Sequence, residues 1–95
     1  MISRADGTTH QIFPVGIDAE EGEALREYVR GEGAVYTIEI GLAYGVSALF
    51  ACEGLLGNGV SIARHVVLDP NQETRFAGCG LQLLDEAGVK ELVEY

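Results

Sequence analysis

Positive charge is scarce in this chain: six lysines and arginines stand against fifteen aspartates and glutamates in 95 residues, a net charge of −9. A field of that sign repels phosphate backbones and anionic lipid surfaces, so neither nucleic acid nor a membrane is an expected partner. Long apolar runs are also missing. The longest uncharged stretch, Ile40 to Cys52, is far too short to span a bilayer. The amino terminus, Met1-Ile2-Ser3-Arg4-Ala5-Asp6, lacks the apolar core of a secretory signal. Cysteine is limited to Cys52 and Cys79, which have no C-x-x-C spacing and lie among apolar residues, so both read as reduced core thiols. No nucleophile, general base or metal-binding cluster stands out. The expectation is a soluble, cytoplasmic chain that forms one small domain or a piece of a larger one.

What is present has a regular order. Residues 1–16 are turn-rich and aperiodic, with Gly7, Pro14 and Gly16, and read as an irregular lead-in in which His10 is a solvated side chain. Asp18 and Glu21 have the spacing of a helix cap, Leu25, Tyr28 and Val29 make one apolar stripe, and Gly31 is the expected stop. Val35 to Ile40 reads as a strand buried on both faces, and Ser47 to Leu56 as a helix apolar on nearly every side, ended by Gly57-Asn58-Gly59. Val60 to Arg64 is a connection. His65 to Leu68 is a second buried strand closed by Asp69-Pro70. Phe76, Leu83, Leu84 and Ala87 recur at helical spacing, in a helix beginning somewhere between Asn71 and Gly80 and stopped by Gly88. Val89 to Tyr95 reads as a third strand. Helices alternating with strands predict an α/β fold with right-handed crossovers and a parallel sheet.

The informative stretch is Glu39-Ile40-Gly41-Leu42-Ala43-Tyr44-Gly45-Val46-Ser47, a strand end, a tight turn and a helix start. Gly41 and Gly45 let backbone approach a ligand, free N–H groups point outward at the helix entrance, and Glu39 is placed to accept a hydrogen bond from a cationic or hydroxyl-bearing group. Asp69, ending the neighbouring strand, is placed for the two hydroxyls of a ribose. The dinucleotide pattern G-x-G-x-x-G fails at Ala43, and the absence of a lysine excludes a P-loop. The spacing present is E-x-G-x-x-x-G with an acidic lining, which suits a positively charged ligand without phosphate. Plainer readings stand beside these. The glycines serve any tight turn, Glu39 can be a satisfied buried carboxylate, Asp69 or Ser47 can cap a helix, and Tyr44 can simply cover the loop.

This stretch resembles the first motif of class I S-adenosylmethionine-dependent methyltransferases, in the form similar to small-molecule O-methyltransferases. His65-Val66-Val67-Leu68-Asp69-Pro70 resembles their second strand with its ribose-binding acid, and Gly80 to Gly88 is similar to the helix that follows. The likeness runs from about Gly16 to Tyr95. It implies that residues 17–95 are a partial Rossmann-like cofactor-binding domain, the first half of that fold with about three strands. It implies S-adenosylmethionine as cofactor and methyl transfer to a small-molecule acceptor. Gly41 and Gly45 would line the methionine part, Glu39 would lie near its ammonium group, Ser47 would sit at the helix N-terminus, and Asp69 would hold the ribose. Adenine and substrate contacts would lie beyond Tyr95, so the chain reads as truncated and the first strand as an open edge through which copies self-associate. The competing readings are a non-catalytic binding or assembly module that keeps the cofactor fold, and a nucleotide-binding redox domain.

Overall fold

The computed structural model describes residues 1–59 and 62–95. Asp18 ends an extended segment, and its carboxylate accepts the Glu21 N–H at 2.8 Å, which starts α1 (Ala19–Gly31). Glu20 and Glu21 lie in the first turn of α1 and Arg30 in its last, each in the place that the helix dipole favours. Gly31 is still helical; the left-handed residue that turns the chain is Gly33, at φ 64°. There follow β1 (Tyr36–Ile40), α2 (Val46–Leu56), β2 (Arg64–Leu68), α3 (Cys79–Glu86), a 3-10 turn (Lys90–Leu92) and β3 (Val93–Glu94). The strands form one parallel sheet in the order β1-β2-β3, with Tyr36 opposite Arg64, Ile40 opposite Leu68 and His65 opposite Val93. The expected α/β architecture with a parallel sheet is therefore present.

α3 begins at Cys79, inside the range expected for its start, because the chain from Pro70 runs through successive turns and Gly78, at φ 72°, caps the helix. Two boundaries differ from expectation. The strand expected over Val89–Tyr95 shrinks to two residues. Val89 and Leu92 are both buried, and a 3-10 turn brings residues three apart to one side, whereas a strand would send them to opposite faces. In the connection expected over Val60–Arg64, Arg64 already belongs to β2, while Val60 and Ser61 lie outside the described residues.

The core is built on α2. Ala48, Ala51, Cys52 and Leu55 are buried there, against Val29 of α1, Val67 of β2, Leu84 of α3, and Leu42, Val89 and Leu92. Helices α1 and α2 approach at two glycines. A Cβ on Gly22 would overlap the Phe50 ring, and one on Gly54 would come within 2.8 Å of the Arg26 carbonyl oxygen. Burial pushes the Cys52 thiol up to about 12, and the Glu39 charge adds to the shift; burial also raises Cys79. Both cysteines are free and buried, in keeping with core thiols.

Side chains of a strand alternate between faces, and the helices cover only one face of this sheet. Thr37, Glu39, His65 and Val67 point to the covered side. Tyr36, Ile38, Ile40 and Leu68 point the other way and are 58%, 64%, 82% and 55% exposed. β1 is thus not buried on both faces, as its composition suggests. It lies at the sheet edge with a bare apolar face.

Residues 1–16 contain no helix or named strand, yet they are not loose. Ile2 and Thr9 form an isolated antiparallel bridge, and the hairpin-like segment lies along α3. Ser3 Oγ donates to the Ala77 carbonyl at 2.6 Å, the Arg4 N–H donates to Gln82 Oε1 at 2.8 Å, and Gln82 Nε2 donates to the Ile2 carbonyl at 2.9 Å. Arg4 and Asp85 form an ion pair at 2.9 Å. Met1 and Ile12 pack on a second cluster of Tyr44, Phe76 and Cys79. No helix of the described residues is long and apolar enough to cross a membrane.

Candidate functional site

The parallel sheet brings the carboxyl ends of β1 and β2 side by side, and the turn 41–45 leaves from there. In open α/β sheets this end is where ligands bind. Its backbone is demanding: Gly41, Ala43 and Gly45 all have positive φ, at 90°, 48° and 83°. The two glycines relieve that demand for different reasons. A Cβ on Gly41 would meet nothing within 4 Å, so this residue faces open space. A Cβ on Gly45 would come within 2.8 Å of the Gly80 carbonyl oxygen, so this glycine lets α2 start against α3. Ala43 adopts the left-handed region with a side chain, at a cost of about 1 kcal/mol.

Two buried polar side chains hold the turn. The Asp69 carboxylate accepts from the Leu42 N–H at 3.1 Å, the Ala43 N–H at 2.9 Å and Gln72 Nε2 at 3.3 Å through Oδ2, and from the Asn71 N–H at 3.0 Å through Oδ1. Gln72, with no exposed surface, donates from Nε2 to the Ala43 carbonyl at 2.8 Å; its Oε1 accepts from the Gly80 and Leu81 N–H groups at 2.8 and 3.2 Å. One side chain thus ties the glycine turn to the start of α3. Burial alone raises the Asp69 carboxyl, but the N–H groups of Ala43, Asn71 and Leu42 and the Gln72 amide outweigh it and hold it below the ordinary carboxylate value. Asp69 does not cap α3, which starts ten positions later behind Gly78.

Glu39 lies inside the strand end, on the covered face. Ser47 Oγ donates to its Oε2, and His65 Nε2 lies 3.0 Å from its Oε1. Thr37 Oγ1 is 2.7 Å from His65 Nδ1. Ser47 is the second residue of α2, and the cap position belongs to Gly45, so the serine hydroxyl serves Glu39 and not the helix end. Tyr44 is buried edge-on against Phe76, with ring centroids 5.1 Å apart, and its hydroxyl is 3.1 Å from His10 Nδ1. It covers the turn from below. His10, expected to be solvated, is half-buried and bonded to Tyr44 and Thr8.

The structure therefore brings Glu39, Gly41, Gly45, Ser47 and Asp69 to one end of the sheet. Asp69 and Gly45 are committed to holding the turn, whereas Gly41 and Glu39 remain accessible. Gln72, Gly80 and Thr37 are neighbours of this site that the sequence does not single out, and His65, expected as a strand-end residue, is bonded to Thr37 and Glu39. Two glycines at the start of a helix, where they weaken it, are the one signal that could have exposed Gly80 as a close approach. Among the described residues no group of acidic, histidine and cysteine side chains is arranged to hold a metal ion.

No family model matches the chain, and no curated relative does. Solved structures do. Cofactor-bound Rv0187 from MTB superposes with a TM-score of 0.73 at 25% identity, over 85% of this chain and 34% of that one. The O-methyltransferase TomG from Streptomyces achromogenes, involved in tomaymycin synthesis and solved with SAM, gives 0.69 at 32% identity, over 83% and 33%. The O-methyltransferase from Bacillus cereus, solved with SAH, gives 0.70 at 26%, over 82% and 33%. The chain has the Rossmann-like fold of the class I S-adenosylmethionine-dependent methyltransferases, in part: it spans about one third of the length of these proteins.

Proposed function

We propose that this chain is the cofactor-binding part of an S-adenosylmethionine-dependent methyltransferase acting on a small molecule. The carrying observation is the charge and shape of the turn. Gly41 opens onto free space, the Glu39 carboxylate is held beside the start of α2, and no lysine or arginine occurs between Gly31 and Ala63. A phosphate-bearing cofactor would meet uncompensated negative charge there, whereas an ammonium or sulfonium group would be attracted. The SAM and SAH bound to two of the solved O-methyltransferases support the same ligand. In this reading Glu39 takes the ammonium group, and Gly41, Gly45 and Ser47 form the wall along the methionine part. Asp69, for which the resemblance implies ribose contact, acts by fixing Leu42 and Ala43, since its oxygens already accept four hydrogen bonds.

The cofactor would supply the methyl group, and the chemistry asks of the protein chiefly that donor and acceptor be aligned. These residues align the donor from one side. The described residues provide no second wall and no base for an acceptor. Two buried free thiols suit a reducing, cytoplasmic setting.

S-adenosylhomocysteine at saturating concentration should raise the melting temperature of the chain by several degrees or more, about 2.7 kcal/mol at one hundred times the dissociation constant. No shift with either adenosyl ligand, together with a shift from a dinucleotide, would move the assignment to redox chemistry. The bare edge of β1 carries a second proposal. Its unpaired N–H and C=O groups adjoin the apolar face of Ile38, Ile40 and Leu68, and a second copy offers the same edge for pairing across a two-fold axis. Sedimentation of the isolated chain at about 100 μM should show a dimer or larger species as concentration rises; a clean monomer at that concentration would exclude it.

A further inference from the structure

We propose that His65 and Thr37 are positioning residues for cofactor recognition, holding the Glu39 carboxylate in the one orientation in which it can receive a cationic group. The proposal rests on the cofactor reading above and assigns the group that makes Glu39 selective. Thr37 and His65 face each other across β1 and β2 in register, and Glu39 lies two residues further along β1 on the same face. The imidazole therefore sits between two side chains of one strand. It is 2% exposed, and both its nitrogens are engaged: Nδ1 at 2.7 Å from the Thr37 hydroxyl and Nε2 at 3.0 Å from Glu39 Oε1.

A carboxylate only accepts, so the hydrogen of this pair is on His65 Nε2. The other oxygen, Oε2, accepts from Ser47 Oγ. Two donors on two different oxygens fix the plane of the carboxylate as well as its position. Two of its roughly four acceptor sites stay free. Glu39 also reaches solvent, with its side chain 22% exposed against 2% for His65. Leu25, Val29 and Ala51 join Thr37, Glu39 and His65 around a cavity of about 170 Å³, so the surroundings offer apolar walls beside these polar groups. With the imidazole gone, Oε1 would lose its donor, and the carboxylate would be free to turn about its side-chain bonds toward water. Among the described residues His65 is the one side chain paired with Glu39 as a potential cation, and its bond leaves the outward lone pairs open.

The test separates orientation from mere stability by using two ligands. S-adenosylhomocysteine carries the ammonium group, and 5′-methylthioadenosine lacks the amino-acid part altogether. Calorimetric titration of the His65→Leu chain should show S-adenosylhomocysteine weakened about tenfold, as for loss of one well-placed charged hydrogen bond, with methylthioadenosine unchanged. His65→Gln, whose amide can still donate toward Glu39, should retain most of the affinity for both. Equal losses on both ligands, or no loss in His65→Leu, would overturn the proposal. If the unsubstituted chain binds neither ligand, the cofactor reading fails by itself. The positioning claim is then decided by nitrogen-15 and carbonyl NMR on the free chain. The hydrogen should be found on His65 Nε2, and the Glu39 carboxyl signal should move in His65→Leu and stay closer to the parent in His65→Gln. A hydrogen on Nδ1 alone, or an unmoved Glu39 signal in His65→Leu, would refute it.

Discussion

Replacing Gly80 by alanine is expected to unfold the domain or to lower its melting temperature by well over 10 °C. The added Cβ would overlap the Ala43 carbonyl oxygen and lie 2.8 Å from Leu42 Cγ and 2.9 Å from Gln72 Oε1. Neither the carbonyl nor the leucine can retreat. Ala43 is pinned through its carbonyl by Gln72 and through its N–H by Asp69, and Leu42 is a core residue. Overpacking against fixed backbone costs about 3 kcal/mol or more, out of the roughly 5–14 kcal/mol that a chain of this size can hold. Each kilocalorie shifts the melting temperature by about 4–8 °C in a domain this small. The fitting control is Gly31→Ala, at the last residue of α1, where a Cβ meets nothing within 4 Å. It should be neutral or stabilising by up to about 1 kcal/mol. Thermal unfolding followed by circular dichroism decides the matter. A Gly80→Ala chain that melts within about 3 °C of the parent would mean that the turn and α3 slide apart easily.

The second large effect is at Asp69. Alanine there strips the partner from the Leu42, Ala43 and Asn71 N–H groups at once, in a site where water has little access. A loss of about 3 kcal/mol is expected, with asparagine costing about half of that, because its single oxygen can still serve one side of the site. Acid adds an independent signature. The folded value of Asp69 is depressed below the ordinary 3.8, so its contribution is fully present above about pH 4 and is lost as pH falls through the folded value. Asp69→Asn should therefore lose less stability than the parent between about pH 4 and pH 2. Parallel acid limbs for the two chains in urea titrations would show that the carboxylate is not the group responsible. Asp85, held low by its hydrogen bond from Arg4, remains in both chains and cancels from the comparison.

The same two sites show what a sequence can and cannot reveal. The cap at Asp18, the strand ending in Ile40 and the helix after Gly45 are local events. Each is decided by residues within a few positions, and each was legible. Gln72 is different. Its side chain joins residues 43, 69, 80 and 81, and nothing within its own turn announces a buried amide. Gly80 reads locally as a weak helix former, and its reason for being glycine lies nearly forty positions away at Ala43. The burial of β1 was misjudged for a related reason. Composition reports what a strand is suited to, while the neighbours present decide what is covered, and Ile38 and Ile40 are suited to a cover that these elements do not provide. His65 read as a strand-end residue because its partners, Thr37 and Glu39, become neighbours only through the register of β1 and β2.

The fastening of the first residues to α3 has a consequence in time. Ser3 is bonded to Ala77, and Arg4 to Gln82 and Asp85, across separations of 74, 78 and 81 residues. Residues 1–12 leave the ribosome well before α3, and they have no place to settle until α3 has been made. Until then Met1 and Ile12 lack the Phe76 and Cys79 surface on which they finally rest. Closing so long a loop costs little in free energy but comes late in folding. A segment made before its partner must wait for it, and the packing around Tyr44 waits with it.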